Sequence, residues 1–328
     1  LPILARMRME EEGLELQAAL VSVLRENLFG LEIDERCAQI AAFNLALAAW
    51  RMVGEHFALP ELNLACSGVA PNATKEQWIK LGEEIAASGG MPASTNLFGT
   101  EDSLLSEPVK RTMESLHEIF SQAPVLGSLI DPANLRGHLF EANYQAVAKL
   151  FAGVLSAQSA DENIRERLIA AAGMSKAADL LSRRFTLIAT NVPYLGRGDQ
   201  CDVLKEFIER YHSAARSDLA TAFLDRALNL LSNGDGSTGT VAIVVPQNWL
   251  FLTSYREFRK NLLSKRTWHV VTRLGPAAFR DMNWWAANTA LIVLSACPSK
   301  PESQIVGIDV SSTRDVDVKA SLLRGDAE

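Results

Sequence analysis

The chain contains few cysteines and histidines, and none of them is spaced to hold a metal ion or to form a disulfide framework. The four cysteines are Cys37, Cys66, Cys201 and Cys297, and no two of them form a CxxC pair. The five histidines are scattered without an HxxxH spacing. These absences argue against a zinc ribbon, a disulfide scaffold and a metal site. They are typical of the reducing cytoplasm, where we expect this chain to occur.

Long hydrophobic runs are also missing. The longest apolar stretch, residues 241–252, is interrupted by Pro246, Gln247 and Asn248, and it is shorter than the roughly 20 residues that a membrane-spanning helix needs. No apolar segment follows Leu1 as a secretory signal peptide would require. We therefore predict no membrane partner.

Basic residues do not exceed acidic ones. The chain has 32 Lys and Arg against 39 Asp and Glu, a net charge of −7 and an isoelectric point near 5.4. A generally basic surface for nucleic acid is excluded, so binding to a polyanion would need a local patch. Because 48% of the residues are hydrophobic and 22% are charged, the composition predicts a folded globular protein rather than a disordered one.

Short apolar runs alternate with helical patterns along the chain. Residues 28–33, 185–190 and 240–245 are continuous apolar runs, and each of them is followed by a helical pattern. Such runs are typical of strands that are buried on both faces of a mostly parallel sheet. The C-terminal part is richer in predicted strands, which favours an antiparallel strand at the edge of the sheet. The predicted fold class is therefore α/β.

A helix-rich stretch separates two β-containing parts. Between residues 67 and 182, turns rich in Gly, Pro, Asn and Ser alternate with helical segments. We predict three parts: a strand–helix half at 1–66, a helical insertion at 67–182, and a second β-rich half at 183–328. Ligands of open α/β sheets bind beyond the carboxyl ends of the strands, where Glu32 and Asn191 are expected.

The tetrapeptide Asn191-Val192-Pro193-Tyr194 directly follows an apolar strand. The Asn191 amide oxygen and the Val192 carbonyl can both accept hydrogen bonds from one amino group. Two such acceptors favour a pyramidal nitrogen and expose the lone pair of an otherwise unreactive aromatic amine. Pro193 stiffens the turn, and the Tyr194 ring offers a face for stacking. This pattern fits the alkylation of a planar amine; a plain strand-to-turn junction is the alternative interpretation.

These four residues resemble the NPPY motif of class I, S-adenosylmethionine-dependent amino-methyltransferases. Val192 replaces the first proline of the motif, which retains the backbone carbonyl but removes some rigidity. Methyltransferases that act on adenine, on some guanines of ribosomal RNA and on protein glutamine share the motif. The resemblance implies a Rossmann-like class I fold and S-adenosylmethionine as the cofactor.

Four further segments limit the resemblance to a smaller group of these methyltransferases. They are residues 218–224, 245–250, 255–263 and 273–279. Together they resemble DNA adenine-N6 methyltransferases of the large single-chain restriction–modification and phage-exclusion (PglX-like) family. The resemblance implies that an adenine is flipped out of double-stranded DNA and that its N6 amine is methylated. It also implies that Phe279 stacks on the face of the adenine opposite Tyr194, with core packing as the alternative for Phe279.

Residues 28–34 resemble the second cofactor motif of the same family. An acidic group at the end of the second strand accepts hydrogen bonds from the ribose hydroxyls of a nucleotide-like cofactor. The resemblance gives this role to Glu32 and places Ile33 against the cofactor adenine. The alternative for Glu32 is an acidic residue that is favoured by the dipole of the following helix, while Asp34 is the predicted N-cap.

The resemblance covers about residues 14–50 and 185–294. It implies that the glycine-rich first cofactor motif precedes Leu1 and that a target-recognition domain follows Glu328. It also implies other subunits of a restriction or defence system as partners. The resemblance does not identify which acidic residue contacts the cofactor adenine amine. The candidates are Asp131 and Asp102.

Two other functions stay open from the sequence. One is a methyltransferase that acts on RNA or on protein glutamine, although the long insertion and residues 274–279 argue against it. The other is a catalytically degenerate methylase-fold subunit that binds DNA, which Val192 and the missing glycine-rich loop favour. The preferred prediction is a site-specific, adenine-specific DNA methyltransferase.

Overall fold

A computed structural model of the chain describes residues 1–87, 103–135, 162–234, 237–280 and 288–326. The chain divides into two compact units, Leu1–Ser182 and Arg183–Glu328. This boundary lies where the sequence predicts the start of the second β-rich half. The division of the first unit into a strand–helix half and an insertion stays a prediction.

The first unit contains a small parallel sheet surrounded by helices. Its strands β1 (Phe29–Glu32) and β2 (Asn63–Cys66) pair in parallel, with Glu32 opposite Cys66 at their carboxyl ends. The helices in chain order are α1 (Pro2–Glu12), α2 (Leu16–Glu26), α3 (Glu35–Val53), α4 (Lys75–Ala87), α5 (Ser103–Phe120), α6 (Ala123–Leu126), α7 (Pro132–Leu135) and α8 (Glu162–Ser182).

Helix α3 connects β1 to β2, which is the βαβ arrangement that the sequence predicts around Glu32. The Asp34 side chain accepts hydrogen bonds from the backbone N–H groups of Arg36 and Cys37, at 2.8 and 3.1 Å. This confirms Asp34 as the N-cap of α3, because it satisfies two of the helix donors that have no partner inside the helix.

The first 27 residues show one continuous helical periodicity in the sequence, which predicts a single helix, but they form two helices. Gly13 ends α1 in a left-handed conformation with φ 68°, which glycine adopts without the steric cost that a side chain adds. Helix α2 then buries Ala19, Leu20, Val23 and Leu24. The hydrophobic periodicity does not show this break because it continues on both sides of the glycine.

The second unit contains a five-stranded sheet in the order β3-β6-β8-β7-β9. Its elements in chain order are β3 (Leu187–Asn191), α9 (Asp202–Tyr211), α10 (Leu219–Asn229), β4 (Asn233–Gly234), β5 (Ser237–Thr238), β6 (Thr240–Pro246), α11 (Arg256–Lys265), β7 (Thr267–Gly275), β8 (Thr289–Ser295), β9 (Val306–Asp309) and α12 (Val316–Arg324).

The strand pairings confirm the α/β class. Strand β3 is parallel to β6, and β7 is parallel to β9, while β8 is antiparallel to both of its neighbours. The antiparallel strand is thus the third of five rather than the outermost one. It is the next strand after β7 along the chain, and the two pair antiparallel.

Strand β3 differs from the prediction of a strand that is buried on both faces. It is the outermost strand of its sheet as described, and Leu187 is 67% exposed. Strand β6, which has a neighbour on each side, buries Val241, Ile243 and Val245 completely. A continuous apolar run therefore does not by itself distinguish an outer strand from an inner one.

Three aromatic residues form the centre of the core beside β6. Trp249 is 1% exposed, and its ring centroid lies 5.7 Å from the rings of both Phe258 and Trp268. These contacts fix the turn after β6 and helix α11 against the sheet. Aromatic pairs at such distances add to the free energy that burial of their apolar area contributes.

None of the helices in the described ranges is long and apolar enough to cross a membrane.

Replacing Trp249 by alanine tests this core. We expect Trp249→Ala to lower the free energy of unfolding by about 3–5 kcal/mol, because it leaves a cavity between Phe258 and Trp268. Phe251→Ala is the matched control, since Phe251 is 60% exposed and its loss should change stability by less than about 0.5 kcal/mol. Urea denaturation measures both values; equal effects of the two changes would contradict the assigned core.

Candidate active site

Asn191 is the last residue of β3, and its side chain is exposed at the carboxyl end of that strand. Its register partner on β6 is Val244, two residues before that strand ends at Pro246. Val192 follows with only 6% of its surface exposed and belongs to the hydrophobic core. The backbone thus leaves the sheet here with Val192 fixed inward and the Asn191 amide directed outward.

Tyr194 lies beside Asn191. Its hydroxyl donates to Asn191 Oδ1 at 3.4 Å, a long and therefore weak hydrogen bond. The ring is partly buried and packs against the core of the second unit. The structure thus brings Asn191 and Tyr194 together, and among the described residues the partner of the Asn191 oxygen is a weak one that an incoming amine can displace.

The tyrosine hydroxyl is held in its neutral form. Burial, and to a lesser extent the nearby Asp218 carboxylate, raise the pKa of Tyr194 to about 12. Burial likewise raises the pKa of Asp218 above its usual range, against the opposing effect of the N–H groups of Ala220 and Leu195. The site therefore combines neutral hydrogen-bonding groups with a partly desolvated surface.

Asp218 connects the Asn191–Tyr194 turn to helix α10. Its carboxylate accepts a hydrogen bond from Ala220 N at 2.8 Å as the helix N-cap and another from the Leu195 backbone N–H. The Leu195 carbonyl in turn accepts from Leu219 N at 2.9 Å and from Gln200 Nε2 at 3.1 Å. Both backbone groups next to Tyr194 are thus fixed.

Phe279 lies in the segment after β7, and its side chain is 40% exposed. Pro246 on β6 pairs with Thr289 on β8, and Thr289 pairs with Gly275 at the end of β7. Asn191 and the Phe279 segment are therefore at the same edge of one sheet. Three strand spacings, about 14 Å in total, separate β3 from β7 at this edge.

Glu32 ends β1 in the first unit, at the carboxyl edge of the small parallel sheet. Its Oε1 accepts hydrogen bonds from the backbone N–H groups of Ile33 and Asp34, at 2.8 and 3.3 Å. In the described part of the chain, Oε2 has no donor. The carboxylate is therefore fixed in orientation and keeps an oxygen that can accept hydrogen bonds from a ligand.

Two glycines pack closely around Ile33. A Cβ on Gly68 would lie 2.1 Å from the Ile33 carbonyl oxygen, and one on Gly127 would lie 2.9 Å from Ile33 Cδ1. Ile33 is nevertheless 45% exposed. The glycines thus allow an apolar surface beside Glu32. An acceptor oxygen next to an exposed apolar side chain fits the ribose and the base of a nucleoside such as that in S-adenosylmethionine.

Serine side chains join the segments around Glu32. The Ser67 hydroxyl donates to the Glu32 carbonyl at 3.2 Å and lies 3.2 Å from the Ser128 hydroxyl. Asp131, a candidate for contacting the cofactor adenine amine, follows three residues later; it is 9% exposed and accepts a hydrogen bond from Ala133 N at 3.1 Å. The other candidate, Asp102, lies outside the described residues.

Sequence reasoning missed the residues that hold these sites in place. The sequence pattern predicts only turns around Ser67, Gly68 and Gly127, and it gives Asp218 only as part of a family segment. Gly68, two residues after the end of β2, is the one of these glycines that lies near the end of a strand. Their contacts join segments that are distant in the chain, which single-sequence patterns do not show.

In the described ranges, no three His, Cys, Asp or Glu side chains are grouped closely enough to hold a metal ion. The roles of Asn191, Val192, Pro193, Tyr194, Phe279, Glu32 and Ile33 in binding or catalysis stay predictions, to which the geometry above gives positions.

The chain is similar to two curated adenine-specific methyltransferases. It is 28% identical over 295 residues to BrxX of Escherichia coli O9:H4 (strain HS). It is also 26% identical over 290 residues to PglX of Lacticaseibacillus casei (strain Zhang). The matches cover 87% of this chain but only 23% and 21% of the two relatives. The chain thus spans about a quarter or less of their length.

The chain is also similar to a solved structure, that of a nuclease-deletion mutant of the Type ISP restriction-modification enzyme LlaGI in complex with a DNA substrate mimic. The TM-score is 0.45 and the sequence identity is 13%. That match covers 98% of this chain and 24% of the LlaGI chain. The family model of the Eco57I restriction-modification methylases matches residues 26–279. Because this match includes more than half of the sequence, the chain belongs to the Eco57I restriction-modification methylase family.

Proposed function

We propose that this chain is the methyl-transfer part of an adenine-specific DNA methyltransferase of a restriction–modification or phage-defence system. The observation that carries the proposal is the exposed Asn191 amide at the end of β3, with its oxygen weakly bonded to Tyr194. Membership of a methylase family and similarity to two adenine-specific methyltransferases support the choice of adenine. The proposed partner is double-stranded DNA, together with other subunits of such a system, in the cytoplasm.

The proposed site acts on the N6 amine of an adenine that is flipped out of the duplex. Asn191 Oδ1 and the Val192 carbonyl each accept one N–H of the amine, which fixes its orientation and favours a pyramidal nitrogen. The Tyr194 ring stacks on one face of the base and Phe279 on the other. Positioning and hydrogen bonding supply the rate enhancement, with no metal ion required.

S-adenosylmethionine, when bound, supplies an electrophilic methyl carbon on a sulfonium centre. Glu32 Oε2 accepts hydrogen bonds from its ribose hydroxyls, and Ile33 packs against its adenine ring. Asp34 is assigned no contact with the cofactor; its Oδ1 caps α3. This assignment makes residues 1–66 the cofactor-binding half and residues 183–328 the base-binding half of one methyltransferase domain, with 67–182 as the insertion.

Asn191 is tested by mapping modified bases in living cells. The complete natural protein is expressed in cells that lack adenine methylation, and their DNA is sequenced by a single-molecule method. We expect adenine methylation at one motif with the wild type, and a loss of at least about 100-fold in the methylation rate with Asn191→Ala. The cofactor dissociation constant should not change.

Asn229→Ala is the matched control, since Asn229 is an exposed residue at the far end of α10. If Asn191→Ala retains methylation, the proposed hydrogen bonding of Asn191 to the amine is wrong. Methylation of RNA or of a protein glutamine, with unmodified DNA, would favour the alternative enzymes of the same motif. A wild type that transfers no methyl group to any of these acceptors would favour a degenerate subunit.

Glu32 is tested by the isosteric change Glu32→Gln. The amide keeps the acceptor for Ile33 N but replaces the charged acceptor for the ribose, and hydrogen bonds to charged groups contribute about 1.5–3 kcal/mol. We expect the dissociation constant of S-adenosylmethionine to rise about 10- to 100-fold in calorimetric titration. Asp34→Asn removes the same charge two residues away and keeps the cap, so it should leave affinity within about twofold. Equal affinities of both variants would exclude the ribose role.

The Tyr194 hydroxyl is expected to be dispensable while its ring is not. With a pKa of about 12, the group stays protonated throughout the pH range of the assay and contributes no titration to the pH–rate profile. Tyr194→Phe should retain the rate within about threefold with an unchanged profile. Tyr194→Ala should lose about tenfold or more in kcat/KM, because base stacking contributes about 1–3 kcal/mol. A large loss in the Phe variant would contradict a dispensable hydroxyl, and a wild-type rate in the Ala variant would contradict the stacking role.

A further inference from the structure

The segment that carries Phe279 has an unusual backbone. We refer to residues 274–280, which follow β7, as the Phe279 loop. Gly275 has φ 68° and Ala277 has φ 53°, the one described non-glycine residue with positive φ. A Cβ on Gly275 would lie 2.6 Å from Ser311 Cβ. A loop with two left-handed residues needs contacts that over-determine its conformation.

A buried lysine supplies such contacts. Lys319, in the second turn of α12, is 2% exposed. Its Nζ donates to the carbonyl oxygens of Leu274 and Pro276, each at 2.5 Å. The ammonium thus holds one carbonyl on each side of Gly275, at the point where the chain leaves β7 and turns towards Phe279.

The lysine has no acidic partner within ion-pair distance in the described part of the chain. Desolvation lowers the pKa of Lys319, as expected for a buried ammonium. Burial of an ammonium is unfavourable unless polar groups surround it, and here the loop carbonyls are those groups. The interaction therefore couples the position of α12 to the conformation of the Phe279 loop.

The ion pair between this loop and α12 is at the surface. Arg280 pairs with Asp317 of α12 at 2.6 Å, but both side chains are more than 70% exposed. Exposed ion pairs of this kind contribute about 0–1 kcal/mol. Lys319 is thus the buried contact, and the surface pair adds to it.

We propose that Lys319 is a positioning residue that holds the Phe279 loop so that the Phe279 ring is presented for stacking on the target base. This inference rests on the proposed function, in which Phe279 contacts the flipped adenine. Lys319 does not contact the base; it acts through the backbone of residues 274–276. In this scheme α12, which carries none of the family segments, becomes part of the base-binding site.

The experiment removes the ammonium while keeping the side-chain volume. Lys319→Met in the complete natural protein is compared with Lys260→Met, since Lys260 has a 58% exposed side chain and pairs only with Glu257. Circular dichroism verifies folding; Lys319→Gln, which keeps N–H donors, replaces the Met variant if that one is unfolded. Deuterium exchange of residues 274–280 in the free protein reports on the loop.

Two further readouts separate positioning from general stability. Emission from 2-aminopurine at the target position reports the environment of the flipped base. Because 2-aminopurine has no 6-amino group to methylate, kcat and KM are measured on the matching duplex with adenine at that position. Each is also measured for Phe279→Ala and for the double variant. If Lys319 acts through Phe279, the two changes are not additive, and Lys319→Met has little further effect once the ring is absent.

We expect faster exchange in the Phe279 loop, changed 2-aminopurine emission and a kcat that is about 10- to 100-fold lower in Lys319→Met, with an unchanged dissociation constant of S-adenosylmethionine. Lys260→Met should match the wild type. If the wild type methylates DNA and Lys319→Met matches it, or if the effects of Lys319→Met and Phe279→Ala are additive, the inference is wrong and the proposed function stands. A wild type that neither flips nor methylates the base would overturn both.

Discussion

The strand register of the second unit places the candidate base-binding groups at one edge. Strand β3 ends with Asn191 opposite Val244, and β6, β8 and β7 meet at Pro246, Thr289 and Gly275. Because side chains alternate between the faces of a sheet, a shift of one residue in these pairings would turn every apolar side chain of β6 to the other face. The buried alternation of β6 therefore also fixes where Asn191 and the Phe279 loop begin.

Beyond that edge, the positions of the loops depend on polar contacts with helices that follow later in the chain. Asp218 and the start of α10 hold the backbone after Tyr194, and Lys319 of α12 holds the carbonyls around Gly275. Lys319 is buried and Asp218 is partly buried, and away from water unsatisfied backbone groups are costly and satisfied ones are rigid. Hydrogen bonds between a helix and the loop backbone thus support both proposed stacking residues, Tyr194 and Phe279.

In the first unit, tertiary contacts likewise fix the candidate cofactor-binding residues. Its small parallel sheet ends at Glu32 and Cys66, and the backbone N–H groups of Ile33 and Asp34 orient the Glu32 carboxylate through Oε1. The close packing of Gly68 and Gly127 around Ile33 explains how an apolar side chain is held beside a carboxylate. The proposal for nucleoside binding follows from this combination of a carboxylate oxygen and an exposed apolar side chain.

The sequence by itself determined the α/β class, the Asp34 cap and the expectation that Glu32 and Asn191 end strands. These features depend on local periodicity, capping chemistry and short motifs, which neighbouring residues encode. Only the tertiary structure decided that β3 is an outer strand and that Asp218, Gly127 and Lys319 support the sites. Those contacts join residues that are distant in the chain, and their stability depends on burial, which no local pattern specifies.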